Sequence, residues 1–151
     1  LKKLSTTITN LLSTDTYNNK EVEILCEDDF YTIPLGSNLV FDVSSDLIFY
    51  SKNGTIFDFQ NSSKSQISIL FRSELSNKKK IIFRNITFQN FIYVDQCLFF
   101  FDFSTDNNNF QIEFENCKFD NIQSRIFHFF YTKIKIKNFL PQVIIKNCTF
   151  M

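Results

Sequence analysis

The chain is 151 residues long, enough for one domain with a real core and too short for two. Its 16 basic and 16 acidic residues cancel, so no global field draws it toward nucleic acid or an anionic membrane surface. Phe supplies 21 residues, Gly and Pro two each and Trp none. Flat and branched side chains suit a pleated sheet, and the longest apolar runs, such as CLFFF at 97–101, are too short to cross a bilayer.

Residues 1–20 depart from the strand pattern that follows. Leu1, Leu4, Ile8, Leu11 and Leu12 fall at helical spacing, which predicts a short amphipathic capping helix. Such a cap would cover strand edges that otherwise invite association. No basic stretch followed by a long apolar run marks a signal peptide. The chain opens at Leu1 and stops at Met151 inside a repeat, so both ends read as cut from a longer polypeptide.

Residues 21–151 read as strands with one buried face. DLIFYSKNGTIFDFQN at 46–61 begins an imperfect series in which Gly54 stands where later copies have Asn. IIFRNITFQN, FQIEFENCKFDN and VIIKNCTFM then recur every 31 residues. Their alignment stacks Ile81, Ile112 and Val143, then Phe83, Phe114 and Ile145, then Asn85, Asn116 and Asn147. Ile86, Cys117 and Cys148 follow, then Phe88, Phe119 and Phe150, while Arg84, Glu115 and Lys146 form a charged column between apolar ones. This alternation defines strands. A second set at the same spacing groups Ile67 with Leu98 and Phe129, and Ile69 with Phe100 and Tyr131. ELSNKKK, TDNNN and the stretch ending NFLPQ separate the strands as polar turns, and Lys78, Lys79 and Lys80 read as solvated turn residues rather than an anion site. Fixed self-similarity with several short strands per unit signals a solenoid; the leucine pattern of leucine-rich repeats is not met.

The pattern I-x-F-x-N-(I/C)-x-F-x-N resembles the coil motif of right-handed parallel β-helix proteins, the pectate-lyase-like superfamily, over residues 35–151. The expected fold is therefore all-β: a right-handed parallel β-helix of about four coils, behind a helical cap at 1–20 and continuing past 151. In such a coil Asn85, Asn116 and Asn147 would form a structural ladder, because Asn tolerates the left-handed backbone of a sharp bend and its amide can bond the amides above and below.

Four glycosylation triplets are present, at Asn53, Asn61, Asn85 and Asn147. Asn53 and Asn61 lie in polar turns and are the better acceptors if the protein is secreted; Asn85 and Asn147 would point inward. Cys26, Cys97, Cys117 and Cys148 include no C-x-x-C pair, and the chain has one His, which argues against zinc. Cys117 and Cys148 share a column as small buried thiols; a disulfide between them, or between Cys26 and Cys97, stays open.

The superfamily's lyases and hydrolases need clustered carboxylates with a base or bound calcium, and no matching motif occurs, so no catalytic residue or cofactor is carried over. Glu113 and Glu115 share a face as solubilising groups, Asp102 and Asp106 read as turn carboxylates, and His128 lies in an aromatic strand. Phe99, Phe101 and Phe103 alternate with Leu98, Phe100 and Asp102, so one set faces outward, toward a loop, a subunit or carbohydrate rings. The expected function is a structural or adhesive solenoid of an extracellular or cell-surface protein. It would self-associate through coil ends and exposed aromatics, in the manner of a fibre. The alternative is a polysaccharide-active enzyme with its site outside this segment.

Overall fold

The computed structural model describes residues 20–61, 65–71, 79–92, 95–103, 110–131 and 143–151. Of the helix expected at 1–20, residues 1–19 lie outside them, as do Lys78 and Asp106. Twelve strands are described: β1 (Glu21–Leu25), β2 (Phe30–Thr32), β3 (Asn38–Asp42), β4 (Asp46–Asp58), β5 (Gln66–Leu70), β6 (Lys80–Phe91), β7 (Cys97–Phe103), β8 (Gln111–Glu115), β9 (Lys118–Ile122), β10 (Arg125–Tyr131), β11 (Val143–Lys146) and β12 (Thr149–Phe150).

All described pairings are parallel. One sheet runs β1-β4-β6-β8-β11, with β2 beside the later half of β4, β9 beside the later half of β6, and β12 beside β9. The second sheet runs β3-β5-β7-β10. Parallel neighbours must be joined by long connections; here each connection passes through the other sheet, so the chain alternates between the two and returns one strand further on.

The registers of the first sheet coincide with the repeat. Ile81 pairs with Ile112 and Ile112 with Val143; Phe83 pairs with Phe114 and Phe114 with Ile145. Phe88 pairs with Phe119 and Phe119 with Phe150. In the second sheet the expected columns are displaced. Ile67 pairs with Phe99, not Leu98, and Phe99 pairs with Phe127; Ile69 pairs with Phe101, and Phe101 with Phe129. The cause is a compensation between connections: the link from β6 to β7 is longer than that from β9 to β10, and the next link is shorter. The overall period survives while the strand between the two links slides. A one-residue slide exchanges the faces of a strand, which puts Phe99, Phe101 and Phe103 inside.

The core is built from rings stacked along the sheets. Phe49, Phe83 and Phe114 stack with centroids 5.2 Å apart at each step. Phe88, Phe119 and Phe150 continue at 5.5 and 4.9 Å, and Phe71, Phe103 and Tyr131 at 5.0 and 4.8 Å. Neighbouring strands lie about 4.8 Å apart, so like rings in register are driven to overlap face to face. Phe99, from the second sheet, meets Phe83, Phe88 and Phe114 edge-on across the interior. Edge-to-face contacts suit the ring quadrupole, and Phe41 on Phe49 and Phe127 on Phe119 add further ones between the sheets.

Phe83 is 1% exposed and Phe150 50%. Phe83→Ala should therefore lower unfolding free energy by about 3–5 kcal/mol, whereas Phe150→Ala should cost less than about 1 kcal/mol. Urea denaturation followed by circular dichroism measures both.

Candidate functional site

The outer surface and the bends are where functional side chains can be displayed. Two columns of bends follow the strands. At the first, Asn85, Asn116 and Asn147 have φ of 55°, 53° and 51°, and Gly54 takes the same place with φ 93°. At the second, Asn90 and Asn121 have φ of 57° and 50°, with Gln60 and Asn61 left-handed upstream. Asn visits this region at low cost because its short amide bonds locally. Sequence reasoning assigns a bend to the first Asn alone, although the closing N of FQN and FDN repeats at the same spacing and was the available signal.

The side chains at these bends behave differently from an inward ladder. Asn85 is half-buried and its Nδ2 donates to the Ser51 carbonyl at 3.0 Å, while Asn116 and Asn147 are exposed. Asn147 thus faces solvent rather than the core. The amide chain runs through the second column: Asn121 Nδ2 donates to Asn90 Oδ1 at 2.9 Å, and Asn90 Nδ2 to Asp58 Oδ1 at 3.1 Å. Asn53 and Asn61 are both exposed.

Between Tyr50 and Thr55 the register of β4 on β6 shifts, because this bend holds extra residues where later copies have a single Asn. The bulge borders a depression of about 230 Å³ lined by Leu25, Cys26, Glu27, Asp29, Ser51, Lys52 and Asn53. Thr55 is buried, and its Oγ1 donates to the Asp28 carbonyl at 2.6 Å, pinning the bulge to the preceding repeat.

All four thiols are free. Cys117 Sγ donates to the Phe83 carbonyl and Cys148 Sγ to the Phe114 carbonyl, each at 3.4 Å, so each thiol leans on the preceding repeat in the same way. Burial pushes the Cys117 thiol up to about 12 and the Cys26 thiol to about 11. Desolvation also raises Cys97, and the bond from Gln66 opposes it. Such thiols are poor nucleophiles at neutral pH.

Charged groups on the outer face are paired across strands. Arg84 Nε meets Glu115 Oε2 at 2.7 Å, Lys146 Nζ meets Glu113 Oε1 at 2.8 Å, and Lys80 Nζ meets Glu21 Oε2 at 2.8 Å. Glu113, expected to be a solubilising surface group, has a side chain only 8% exposed and is held by Lys146. Among the described residues no three His, Cys, Asp or Glu side chains are placed to hold a metal ion. Asp102 is buried in the second sheet. His128 is exposed and stands edge-on to Phe100 at 5.4 Å, with Phe130 6.3 Å from Phe100. These three rings, rather than Phe99, Phe101 and Phe103, form the aromatic outer row. No helix of the described residues is long and apolar enough to cross a membrane.

No family model matches the chain, and neither a curated protein nor a solved structure resembles it significantly. What stands is the class that the fold defines: an all-β protein of parallel strands in two sheets.

Two outcomes follow from the bends and the thiols. Asn116→Gly should leave stability nearly unchanged, while Asn116→Val should cost about 1–2 kcal/mol, because only the latter strains a left-handed residue; thermal melts compare them. Cys117 carries a raised folded pKa, so its neutral form contributes stability in full below the ordinary thiol value of 9.0, and that contribution is lost as pH rises toward about 12. Cys117→Val, which copies the apolar Ile86 of the preceding repeat, should show a smaller loss of stability than the parent chain between those pH values in urea titrations.

Proposed function

We propose that the chain is a segment of a right-handed parallel β-helix of about four coils, related to the pectate-lyase-like solenoids. It serves as a structural or adhesive module of a secreted or cell-surface protein. The observation that carries this reading is the continuous parallel pairing from β4 through β6 and β8 to β11, interrupted only by the bulge at Tyr50–Thr55, with its stacked rings. Such a core is rigid along one axis and has no need of a ligand to complete it. The outer carboxylates Glu113 and Glu115 are tied to Lys146 and Arg84, which suits a display surface better than acid–base chemistry. Glycans at the exposed Asn53 and Asn61 would suit an extracellular setting; Asn85 has its amide nitrogen engaged by Ser51.

Glycopeptide mass spectrometry on native material tests the setting. The expected result is added hexosamine mass at Asn53 or Asn61, removed by an amidase that cleaves N-linked glycans. Unmodified peptides at both positions would count against the extracellular reading. Incubation with uronate-containing and neutral glycans tests the structural role, and cleavage of any of them by the purified chain would replace it with the enzyme alternative.

A further inference from the structure

Asn53 and Gly54 are the chain's one Asn-Gly pair, and they stand where β4 breaks its register. Pairing of β4 with β1 ends at Tyr50 and pairing with β2 begins at Ile56. On the other side, the register on β6 jumps from Tyr50 to Thr55. No described strand therefore holds residues 51–54 in its register, although the pairs before and after them are kept. Lys52 and Asn53 are exposed at this corner. Gly54 has φ 93°, and a Cβ added to it would meet nothing within 4 Å. The space beside the Asn53–Gly54 peptide is open.

The other described asparagines are placed differently. Asn38, Asn85, Asn90, Asn116, Asn121 and Asn147 are each followed by Leu, Ile, Phe or Cys, and each of those following residues is buried or half-buried. A side chain there crowds its own backbone nitrogen and narrows the φ and ψ open to it. The nitrogen is thus kept away from the amide carbon of the preceding Asn. Asn85 and Asn90 also have Nδ2 engaged, by the Ser51 carbonyl and by Asp58 Oδ1. The backbone nitrogen of Asn61 donates to the Asn90 carbonyl at 2.8 Å, which ties it to the next repeat. Only at Asn53 does a glycine follow, and glycine removes both the crowding and the restriction.

We infer that Asn53 is a self-modification site, at which the backbone nitrogen of Gly54 attacks the Asn53 side-chain amide and converts Asn53 to isoaspartate and aspartate, with water as the one co-reactant. The nitrogen gives up its proton and bonds to Asn53 Cγ. The Cγ–Nδ2 bond breaks, and Nδ2 leaves as ammonia with that proton. A five-membered succinimide remains, and water adds to one of its two carbonyls. Cleavage between the Gly54 nitrogen and Cγ leaves an ordinary backbone with an aspartate side chain. Cleavage between that nitrogen and the Asn53 main-chain carbonyl routes the backbone through the side chain as isoaspartate. Nothing is oxidised or reduced; an amide nitrogen is exchanged for an oxygen.

The product carries a carboxylate where a neutral amide stood, on a chain whose formal charge is zero. Glu27 and Asp29 line the same depression with Lys52, so conversion sets three carboxylates against one lysine there. Isoaspartate also lengthens the backbone beside Thr55, whose hydroxyl pins the bulge to the Asp28 carbonyl. A glycan at Asn53 would occupy the nitrogen that this step expels, so the two modifications exclude each other. The step belongs to molecules without a glycan at Asn53 and does not depend on the β-helix reading.

The test uses the full 151-residue chain made in a host that attaches no N-linked sugar and incubated, folded, in heavy-oxygen water at mildly alkaline pH. Heavy oxygen marks conversions that precede digestion. The tryptic peptide 53–64 holds both Asn53 and Asn61, and electron-transfer fragmentation distinguishes the two positions and separates isoaspartate from aspartate. Asn53 should take up heavy oxygen at a rate within about tenfold of the same chain in urea. Asn61 and the other described asparagines should be at least about tenfold slower. Gly54→Asn places at this corner the residue type that Asn85 supplies one repeat later; it should keep the thermal melt and slow conversion at position 53 at least about tenfold. Asn53→Gln should abolish the acidic form seen by isoelectric focusing. Conversion in urea without conversion in the folded chain would overturn the inference, as would a parent no faster than Gly54→Asn or an acidic form that persists in Asn53→Gln. Circular dichroism on the fresh chain separates the levels: strand signal without conversion sinks only the modification, and absent strand signal sinks the bulge and the β-helix reading together.

Discussion

Everything in this structure depends on one constraint, the fixed spacing of about 4.8 Å between paired parallel strands. Once a Phe is placed in register with another Phe on the neighbouring strand, that spacing leaves face-to-face overlap as the low-energy arrangement. Phe83 on Phe114 with an interplanar angle of 11°, and Phe88 on Phe119 at 18°, are its direct results. From β6 to β11 the chain holds these columns in place by returning to the same sheet every 31 residues, so a residue's neighbour in space is its equivalent in the next repeat. Rings from the opposite sheet, above all Phe99, cannot obey the same rule and meet the columns edge-on. The core is thus held along the sheets by stacking and between them by edge contacts.

The bends make this periodic return possible. From β4 onward the first corner is turned through a left-handed residue, Gly54 and then Asn85, Asn116 and Asn147, and the second through Gln60 and Asn61 and then Asn90 and Asn121. Where extra residues enter the corner, between Tyr50 and Thr55, the register slips and a depression opens beside Cys26 and Asn53. Irregularity in the repeat is therefore the source of surface relief, and the regular repeats offer a flat face sewn by ion pairs. Because those pairs are partly exposed, each adds little to stability.

Much of the first sheet was legible in the sequence from β6 onward, since its period there is constant and each column keeps its chemical class: Ile81, Ile112 and Val143 need no structure to be aligned. The second sheet was less legible because two connections of unequal length offset each other around each strand, hiding the pairing of Ile67 with Phe99 behind an unchanged overall period. The same slide decided which alternating Phe set is inside, a matter periodicity alone leaves open. At the bends the backbone conformation follows from residue type, but the direction of each amide does not. Asn85 turns to the Ser51 carbonyl while Asn116 meets solvent, a difference set by how much chain fills the corner one repeat earlier. Glu113 was illegible for a similar reason: its burial depends on Lys146, a whole repeat away.

The central claim is that residues one repeat apart are parallel neighbours, and nuclear magnetic resonance tests it most directly. In a uniformly labelled sample, interstrand proton contacts should join Glu113 to Ile82 on one side and to Ile144 on the other, with neighbouring pairs advancing in the same direction along all three strands. Contacts that advance in opposite directions, or that join these strands to sequence neighbours in hairpins, would contradict the account.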